Sequence, residues 1–491
     1  MNCQPGAAIL PGPILGSPFS CIRFSKRFTI EVGRRAIHGK NIKMNWSMWR
    51  YLPVFLLLAG ATAHADALWP QFRGPEGQGH ADATGLPLTW SEQEGVRWKT
   101  AIPGRGWSSP VVAENKVWLT TASIQPASEV RRNAQVAGSI VAQALEVSEL
   151  ITLWVVELDL QSGKQLRKIK LFDVDAPQAI HKLNSYASPT PVYEAGRLYC
   201  HFGTNGTACL EISSGNILWQ KRYALDHRVG PGSSPVVYKD LLILTCDGAD
   251  EQYIIALDRQ NGEPVWKKDR PPILSDDPES RKAFSTPLLI NAAGKEQLVI
   301  PGAQWFVSYD PATGDEIWRV DHGKGFSNVP RPVFDGRLVF LCSGFTTGQL
   351  WAVRPDGHGD VTETHTEWVK KGQIPTMPSP LVVGDRIYTI SDGGIAKCFN
   401  ANTGDVLWKE RMPGKYSASP MCADGKTYYC SHEGMTTVIA PGDEYRELAK
   451  NELAGQIMAS PVVVEDELLL RSDTHLYRIS DMVGQDFNPG S

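Results

Sequence analysis

The sequence Tyr-Asp-Pro-Ala-Thr-Gly-Asp-Glu-Ile-Trp at positions 309–318 returns in a close copy, Phe-Asn-Ala-Asn-Thr-Gly-Asp-Val-Leu-Trp, at positions 399–408. The Asp or Asn at the second position can accept hydrogen bonds from backbone amides, and the glycine permits the positive φ that a tight turn needs. A tryptophan follows the turn glycine by four residues in four repeats, at Trp219, Trp266, Trp318 and Trp408. The stretch therefore predicts a turn between two strands, with a large ring placed to dock against the next repeat.

A longer repeat surrounds this stretch: a Ser-rich approach, a proline, an apolar strand, a turn and a second apolar strand. Successive repeat prolines are separated by 81, 44, 52, 45, 48, 40 and 41 residues. After the first interval, these spacings match or slightly exceed the roughly 40–50 residues of a four-stranded propeller blade. The repeat prolines are Pro110, Pro191, Pro235, Pro287, Pro332, Pro380, Pro420 and Pro461.

The ends of the repeat array predict that it closes into a ring. The eighth repeat stops after its third strand, near residues 476–479, and a strand-like stretch at residues 96–99 precedes the first repeat proline. Pairing the two would complete a blade and leave no open edge between the first and last repeats. We therefore predict an all-β, eight-bladed β-propeller closed by an N-terminal outer strand, with seven blades as the alternative if the irregular fifth repeat is misassigned.

The composition agrees with this fold and excludes several classes of protein. Hydrophobic residues make up 42% and charged residues 21% of the 491 residues, and the net charge is -4. These values argue against disorder and against a polybasic protein that binds nucleic acid or membranes. The 45 Gly, 34 Pro and 15 Trp favour many short strands and turns over helical bundles.

The N-terminal region has the arrangement of a secretory signal peptide. Residues 51–61 form a short apolar run, Arg50 precedes it, and Ala63-His64-Ala65 has the form of a cleavage site. We therefore assign residues 1–65 to an N-terminal extension and signal peptide, residues 66–482 to the propeller, and expect a periplasmic or secreted protein with no transmembrane segment after signal removal. Ala61 stands where a lipid-anchored protein would have cysteine, so no lipid anchor is expected.

The long first interval predicts an insertion between the second and third strands of the first blade, at residues 122–151. Ser128 is a candidate helix N-cap. The apolar residues that follow form a moderate helical stripe, namely Val136, Ile140, Val141 and Leu145. The insertion is interpreted either as a lid or partner-docking helix, or as extra packing on the rim of the propeller.

Seven cysteines follow position 65, an odd number that leaves at least one thiol unpaired. Cys246 and Cys342 occupy equivalent positions in their repeats, which predicts small buried side chains in a strand. Cys200 and Cys209 flank a short turn symmetrically, and a disulfide between them is left open.

The sequence contains no familiar catalytic or metal-binding motif. A Gly-x-Ser-x-Gly elbow, a His-Glu-x-x-His helix, a P-loop, an EF-hand loop and a Cys-x-x-Cys-His haem site are all absent. The acidic segment at residues 247–251 lacks the ligand spacing of a Ca²⁺ loop and is interpreted as a solvated turn. We therefore predict no catalytic residues and no metal site.

The repeat resembles the pyrroloquinoline-quinone (PQQ) type of propeller repeat over roughly residues 98–479. Four further segments indicate which group of such propellers the chain resembles, namely residues 68–75, 104–110, 184–191 and 229–235. They are similar to exported quinone-repeat propellers that are likened to the propeller subunit of the outer-membrane barrel-assembly machinery, a non-catalytic scaffold. The other branch of the resemblance is the quinoprotein dehydrogenases, which hold the quinone and Ca²⁺ in the central funnel. Their adjacent cysteines and Trp-Asp segment are missing here, so we expect no cofactor, with PQQ and calcium as the alternative.

Candidate binding residues come from the loops that share one rim of such a propeller. Cations and aromatic rings at one mouth can hold an anionic or sugar-like ligand or an extended peptide. The candidate funnel residues are Arg105, Trp107, His181, Asn184, Tyr186, His227, Arg228, Lys324, Asn328, Arg331 and Tyr416, with His322 and Lys415 beside them.

These observations favour an exported, non-catalytic propeller that acts as a protein- or ligand-binding scaffold in the cell envelope. The expected partner is an envelope protein or a small anionic or sugar-like ligand, and no nucleic acid. Two alternatives remain open: a PQQ-dependent alcohol or sugar dehydrogenase, and a carbohydrate-binding propeller.

Overall fold

The structure is a computed structural model that describes residues 69–137, 142–345 and 347–481. The predicted extension and signal peptide lie outside the described residues. So do Ile140 and Val141, two residues of the predicted helical stripe. Of the helices within these ranges, none is both long enough and apolar enough to cross a membrane.

Eight antiparallel sheets are arranged as the blades of a β-propeller, which confirms the predicted fold class and blade number. The first strand of every blade begins one residue after a repeat proline. Proline suits this position because it cannot donate a hydrogen bond to a sheet. Counted from the propeller axis outward, each blade contributes a first, second, third and fourth strand.

The strands of the first four blades have the following bounds. Blade 1 contains Val111–Ala113, Lys116–Pro126, Ser148–Asp159 and Gln165–Asp175. Blade 2 contains Val192–Glu194, Arg197–His201, Thr207–Glu211 and Ile217–Lys221. Blade 3 contains Val236–Tyr238, Leu241–Asp247, Gln252–Asp258 and Pro264–Asp269. Blade 4 contains Leu288–Ala292, Lys295–Pro301, Trp305–Tyr309 and Glu316–Asp321, and the short strand Gly359–Asp360 adds to its outer edge.

The remaining blades follow the same plan. Blade 5 contains Val333–Phe334, Val339–Ser343, Gln349–Val353 and Thr366–Lys371. Blade 6 contains Leu381–Val383, Arg386–Ile390, Ile395–Asn400 and Val406–Arg411. Blade 7 contains Met421–Ala423, Lys426–Cys430, Met435–Ala440 and Arg446–Glu452. Blade 8 contains Val462–Val464, Glu467–Arg471, His475–Ile479 and, as its outer strand, Val96–Ala101.

The N-terminal strand closes the ring as predicted. Val96 pairs with Ile479, and Thr100 pairs with Leu476, in an antiparallel ladder. Because this strand is the fourth strand of the last blade, hydrogen bonds join the two ends of the propeller and no blade is left incomplete.

Outer-strand tryptophans dock against the turn glycine of the following blade. A Cβ atom added to Gly262 would come within 2.7 Å of the Trp219 ring, and one added to Gly314 would come within 2.7 Å of Trp266. The Trp219 indole also donates a hydrogen bond to the Arg259 carbonyl at 3.2 Å. Only glycine leaves room for the ring at such a turn, so the tryptophan and the glycine form one joint between blades.

Trp318 does not form this joint, and two further tryptophans do. The buried Trp318 donates instead to Gln297 Oε1 in its own blade, at 2.8 Å. Trp98 and Trp368, which lack the sequence spacing of the other four, dock in the same manner against Gly163 and Gly404.

A set of hydroxyl groups encircles the propeller axis at the start of the first strands. The residue before the repeat proline is Ser or Thr in seven blades, and these residues are Ser109, Thr190, Ser234, Thr286, Ser379, Ser419 and Ser460. In five of these blades its backbone N–H donates to the hydroxyl of the following blade at 2.9–3.0 Å, as from Ser379 to Ser419. All seven residues are buried, so this hydroxyl belt satisfies backbone groups that water cannot reach.

Arg331 replaces the hydroxyl residue of the belt in blade 5. Its own N–H still donates to Ser379 Oγ at 3.0 Å, but it offers no hydroxyl to Thr286. A nearby bond from Ser285 Oγ to the Pro330 carbonyl, at 2.8 Å, joins the two blades instead.

The insertion in blade 1 is shorter than predicted. Ala122 pairs with Leu153, and Gln125 pairs with Leu150. The second and third strands therefore extend into both ends of the predicted insertion, and the inserted chain comprises only residues 127–147. It contains the helix Glu129–Val136, whose N-cap Ser128 accepts a hydrogen bond from the Arg131 N–H at 3.3 Å. A 3₁₀ turn, Ala142–Ala144, and a short strand, Leu145–Glu146, follow the helix, and that strand pairs with Ile180–His181. The other short helices of the described ranges are Pro278–Ser280 and Thr362–His365.

All seven cysteines after position 65 are buried and free. Cys200 pairs with Ala208 and Cys209 with Tyr199, so the two cysteines are offset by one residue in the ladder. Neighbouring positions in a strand point to opposite faces, and the two thiols accordingly lie in different hydrophobic clusters. The structure therefore does not contain the disulfide that the sequence left open.

Candidate functional site

The propeller axis is occupied by the chain's own N-terminal segment, residues 69–81, which we call the axial segment. Trp69 and Val112 of the blade 1 first strand exchange backbone hydrogen bonds of 3.1 and 2.9 Å. Further along the segment, the Gly79 carbonyl accepts from the Cys422 N–H of blade 7 at 2.8 Å. The two ends of the axial segment therefore bind the innermost strands of two different blades.

Other blades also bind the axial segment. The Tyr193 N–H of blade 2 donates to the Pro70 carbonyl at 2.8 Å, and the Phe334 N–H of blade 5 donates to Gln78 Oε1 at 2.6 Å. Trp69 is fully buried. The segment is thus part of the packed interior of the propeller.

Two arginines lie in this interior, Arg73 on the axial segment and Arg331 on the hydroxyl belt. Arg73 Nη2 donates to the carbonyls of Gln78 and Pro380, at 2.7 and 2.8 Å. Its Nε and Nη1 atoms are buried without a hydrogen-bond partner among the described residues.

Arg331 holds the axial segment against blades 4 and 5. Its Nη1 donates to the Phe72 carbonyl at 2.6 Å, and its Nε donates to the Pro287 carbonyl at 3.0 Å. The guanidinium group also requires Gly77, because a Cβ atom there would lie 2.3 Å from Nη1. Burial lowers the pKa of the Arg331 and Arg73 side chains from 12.5 to about 9, and the charge of Arg331 further lowers the pKa of Arg73. Both groups remain charged at neutral pH.

A cavity of about 360 Å³ lies beside Arg331. The axial segment forms one wall, and the first strands of blades 3, 4 and 5 form the other. Glu76 and Asn291, which are exposed, lie at its solvent side. Arg331 was predicted on the rim, but the structure places its side chain at the axis, where the cavity begins.

The rim loops, which join fourth strands to first strands and second strands to third strands, carry the other candidate residues. Tyr186 is buried, and its hydroxyl donates to the Gln178 carbonyl at 2.9 Å. Asn184 Nδ2 donates to the carbonyls of Val229 and Pro231, at 3.0 and 3.1 Å. These two side chains fix the loops to one another, and their polar atoms are already engaged.

Three further candidates lie in the rim loops before blades 1 and 2, namely Arg105, Trp107 and His181. Arg105 forms an ion pair with Glu146 of the insertion, and its guanidinium lies 5.5 Å from the centre of the Trp107 ring. His181 Nδ1 accepts from the Leu183 N–H at 3.2 Å, and burial lowers the pKa of this histidine. The structure thus brings together candidate residues of the loops before blades 1 and 2.

His227 and Arg228 extend this group. His227 Nε2 accepts a hydrogen bond from the Thr204 N–H at 2.9 Å, which requires that nitrogen to be unprotonated. Burial lowers the pKa of His227 to about 4. Arg228 is exposed and lies 3.2 Å from Asp226 and 3.5 Å from Glu279.

The candidates of blades 4 to 7 form separate groups. Asn328 Nδ2 donates to the Gly302 carbonyl at 2.6 Å, and Asn328 Oδ1 accepts from the Gly344 N–H at 2.8 Å. His322 is buried beside it, and burial lowers its pKa to about 4. Lys324 is exposed. Several candidate side chains are therefore already bound to loop carbonyls, among them Asn184, Tyr186 and Asn328. Their predicted convergence on one mouth stays a prediction.

Tyr416 and Lys415 belong to the rim loop between blades 6 and 7. The Tyr416 hydroxyl donates to the Pro413 carbonyl at 2.9 Å and is buried, whereas Lys415 is exposed. Next to them, Ser417 Oγ lies 2.8 Å from His432 Nε2. Among the described residues no carboxylate hydrogen-bonds to the other ring nitrogen, so the pair lacks the orienting acid of a hydrolase triad.

The acidic segment at residues 247–251 differs from the predicted solvated turn. Asp247 is buried, and one carboxylate oxygen lies 3.2 Å from Arg270 Nε. Burial raises the pKa of Asp247 to about 6, against the opposing effect of Arg270. Within the described ranges, no group of three or more His, Cys, Asp or Glu side chains is arranged to hold a metal ion.

Sequence reasoning missed an apolar surface on the rim of blades 4 and 5, which we call the apolar rim patch. It consists of the half-buried Phe326 and the exposed Phe345, with Leu274 in a neighbouring rim loop. Leu274 is 83% exposed and Phe345 is 60% exposed. The rings of Phe326 and Phe345 lie 6.2 Å apart, and the Leu274 N–H binds Gln304 Oε1 in a neighbouring rim loop. Single apolar residues in loops carry no periodic signal, so their clustering appears only in three dimensions.

Comparison with protein families identifies one match. The family model described as outer membrane protein assembly factor BamB matches residues 122–268, 152–300 and 302–416. These segments cover more than half of the chain. No curated protein matches it.

Solved structures share the fold at low sequence identity. BamB from Moraxella catarrhalis is 12% identical, with a TM-score of 0.52 over 80% of this chain and 99% of that chain. Quinohemoprotein alcohol dehydrogenase from Comamonas testosteroni is 10% identical, with a TM-score of 0.59 over 86% and 82%. Quinohemoprotein alcohol dehydrogenase ADHIIG from Pseudomonas putida HK5 is 11% identical, with a TM-score of 0.56 over 86% and 81%. At these identities the likeness is one of fold alone.

Proposed function

Because the chain belongs to the family of the outer membrane protein assembly factor BamB, we propose that it is a non-catalytic scaffold that binds an envelope protein. Export into the periplasm or beyond is part of the proposal and depends on the signal-like residues 51–65.

The occupied axis is the observation that carries this proposal. The axial segment binds blades 1, 2, 5 and 7 through its backbone and Gln78, and its arginine reaches the blade 6 carbonyl of Pro380. A propeller whose centre is filled by its own chain offers its loops and outer surfaces to partners. Non-catalytic binding at the rim is the function that fits this arrangement.

The apolar rim patch supports a protein as the partner. Apolar side chains that are clustered and exposed on a folded surface commonly mark sites of protein association, and the Phe326 and Phe345 rings lie 6.2 Å apart. The exposed Lys324 and Arg228 can form the polar margin of such an interface.

The quinone cofactor of the dehydrogenase branch does not fit these residues. In that branch the quinone and Ca²⁺ are expected in the central funnel, but here Trp69 is fully buried at the axis and Gly77 packs against Arg331 without room for a Cβ atom. Binding there would require removal of a hydrogen-bonded segment. We propose that the protein does not use this cofactor.

Site-specific photo-crosslinking tests the proposed function. A photoreactive amino acid is placed at Phe345, in the apolar rim patch, and in a control variant at Val265, which is similarly exposed (55%) at the start of an outer strand on the opposite face. We expect one envelope protein to be captured from position 345 and not from position 265. Capture of the same protein from both positions, or from neither, contradicts the proposal.

A second measurement addresses the dehydrogenase alternative. PQQ with Ca²⁺ is added to the purified protein, and the melting temperature is recorded. A ligand that binds only the native state must raise the melting temperature, so we expect no change. A rise accompanied by alcohol oxidation would establish the alternative.

A further inference from the structure

The cavity beside Arg331 combines a charged wall with apolar walls. Its lining includes the residues Val237, Leu289, Ile290 and Phe334 on the blades. Gln71 and Gln78 contribute from the axial segment. A volume of about 360 Å³ lies at the lower end of the range typical of small-molecule sites.

The positive charge behind this cavity has no counter-charge in contact with it. Among the described residues, no carboxylate lies within ion-pair distance of Arg331 or Arg73, and carbonyl and amide oxygens are their only hydrogen-bond partners. Both side chains are 2% exposed. An uncompensated buried charge is costly, and two such charges close together repel each other.

The Nη2 group of Arg331 can still donate a hydrogen bond on the side of the cavity. Arg331 Nε and Nη1 form bonds of 3.0 and 2.6 Å, but among the residues that the structure describes the only partner of Nη2 is Gln71 Oε1 at 3.5 Å. Gln71 itself lines the cavity, so a stronger acceptor in the cavity can replace it. A guanidinium group presents paired N–H donors that suit carboxylate and phosphate oxygens.

One acidic side chain also lines the cavity. Glu76 is exposed at the mouth, and it repels an anion that approaches Arg331. Asn291, on the opposite wall, is exposed and uncharged. Because these two side chains lie on the surface, each can be changed with little effect on the folded propeller.

We infer that this cavity binds a small carboxylate- or phosphate-bearing molecule, with the anionic group on Arg331 and the non-polar part of the molecule against the walls from blades 3 to 5. The charge of Arg73 adds to the attraction from behind the wall. This site is independent of the rim and goes beyond the proposed scaffold function.

Calorimetric titration of the purified protein provides the test. Succinate and inorganic phosphate are the probes, butane-1,4-diol is the uncharged analogue of succinate, and sodium chloride of equal ionic strength controls for screening. We expect succinate or phosphate to bind and the diol and chloride not to bind. Binding of succinate alone identifies a carboxylate site with apolar contacts, and binding of phosphate alone identifies an oxyanion site. No binding of either anion overturns the inference.

Two surface variants locate the binding. E76Q removes the repelling charge and is expected to tighten binding roughly three- to tenfold, whereas N291D adds one and is expected to weaken binding by a similar factor. E410Q removes an exposed acidic charge on the outer strand of blade 6 and is expected to leave the affinity unchanged. Unaltered affinity in both E76Q and N291D would place the anion elsewhere and refute the site.

Discussion

The Trp98 ring packs against Gly163 so closely that a Cβ atom on the glycine would lie 2.4 Å from it. Trp98 belongs to the strand that closes the last blade, and Gly163 lies in the turn between the third and fourth strands of the first blade. The Trp98 indole also donates to the Leu160 carbonyl at 3.0 Å. The joint therefore fastens the blade at which the ring is completed.

Gly163→Ala should destabilise the propeller more than the same change at Gly196. Both glycines have positive φ, +67° and +78°, but nothing lies within 4 Å of a Cβ atom at Gly196. Both variants carry the cost of a left-handed alanine, about 1–2 kcal/mol, and Gly163→Ala adds about 1–3 kcal/mol because the ring must move. Urea unfolding measures the difference. Equal losses would show that the joint adds nothing.

Ser419→Ala should weaken the hydroxyl belt. The variant removes the acceptor of the Ser379 N–H, a bond of 2.9 Å, and leaves that buried donor without a partner. The expected loss of unfolding free energy is about 1–3 kcal/mol. Ser214→Ala, in an exposed turn, is the control and should change it by less than about 0.5 kcal/mol. A loss as small as the control's would mean that water or backbone movement satisfies the Ser379 N–H.

Stability should fall on mild acidification. Burial lowers the pKa of both His227 and His322 to about 4, whereas the unfolded value is near 6.5. The unfolded state therefore binds more protons between pH 6.5 and 4, and the unfolding free energy falls through this window by up to about 1.4 kcal/mol per pH unit for each histidine. Above pH 6.5 the two histidines add no pH dependence. Asp247 has the opposite effect on the unfolding free energy. Because burial raises its pKa to about 6, the native state binds its proton more readily than the unfolded state, and acidification stabilises the protein through this group.

His322→Gln separates the histidine contribution from other groups. Glutamine can still donate to the Gly302 carbonyl, which His322 Nε2 contacts at 3.0 Å, but it does not titrate. The variant should lose less unfolding free energy than the natural protein between pH 7.5 and pH 4.5, measured by urea unfolding. If the variant and the natural protein lost the same unfolding free energy between these pH values, residues other than His322 would cause the acid sensitivity.

The repeat prolines and turn glycines predicted the ring because they mark positions that every blade shares. Proline directly precedes each first strand, and the glycine of the next blade's turn leaves room for an outer-strand tryptophan to dock. Even the closing strand at residues 96–101 was predictable, since an incomplete last repeat needs a partner. The different arrangement at Trp318 was not predictable, because its hydrogen bond depends on Gln297, which lies two strands away in the same blade.

The axial segment could not be predicted from local pattern. It has neither the alternation of a strand nor the period of a helix, and its partners lie far away in sequence, as in the bond from Arg73 to Pro380. The rim residues illustrate a related difficulty: their types fit a binding site, but carbonyls of adjacent loops satisfy Asn184 and Asn328. Arg331 did carry a signal, as the single interruption of seven hydroxyl residues before proline.

Trp69→Ala tests whether the axial segment is part of the folded core. The Trp69 side chain is fully buried and packs in the hydrophobic cluster that includes Val112 and Val464. Truncating a buried tryptophan costs about 3–5 kcal/mol, so urea unfolding should show a loss of this size. Trp154→Ala, at a half-buried position in blade 1, is the matched control and should cost less. If Trp69→Ala cost no more than the control, the segment would be a detachable plug, and the axis would be open to ligands that the packed segment excludes.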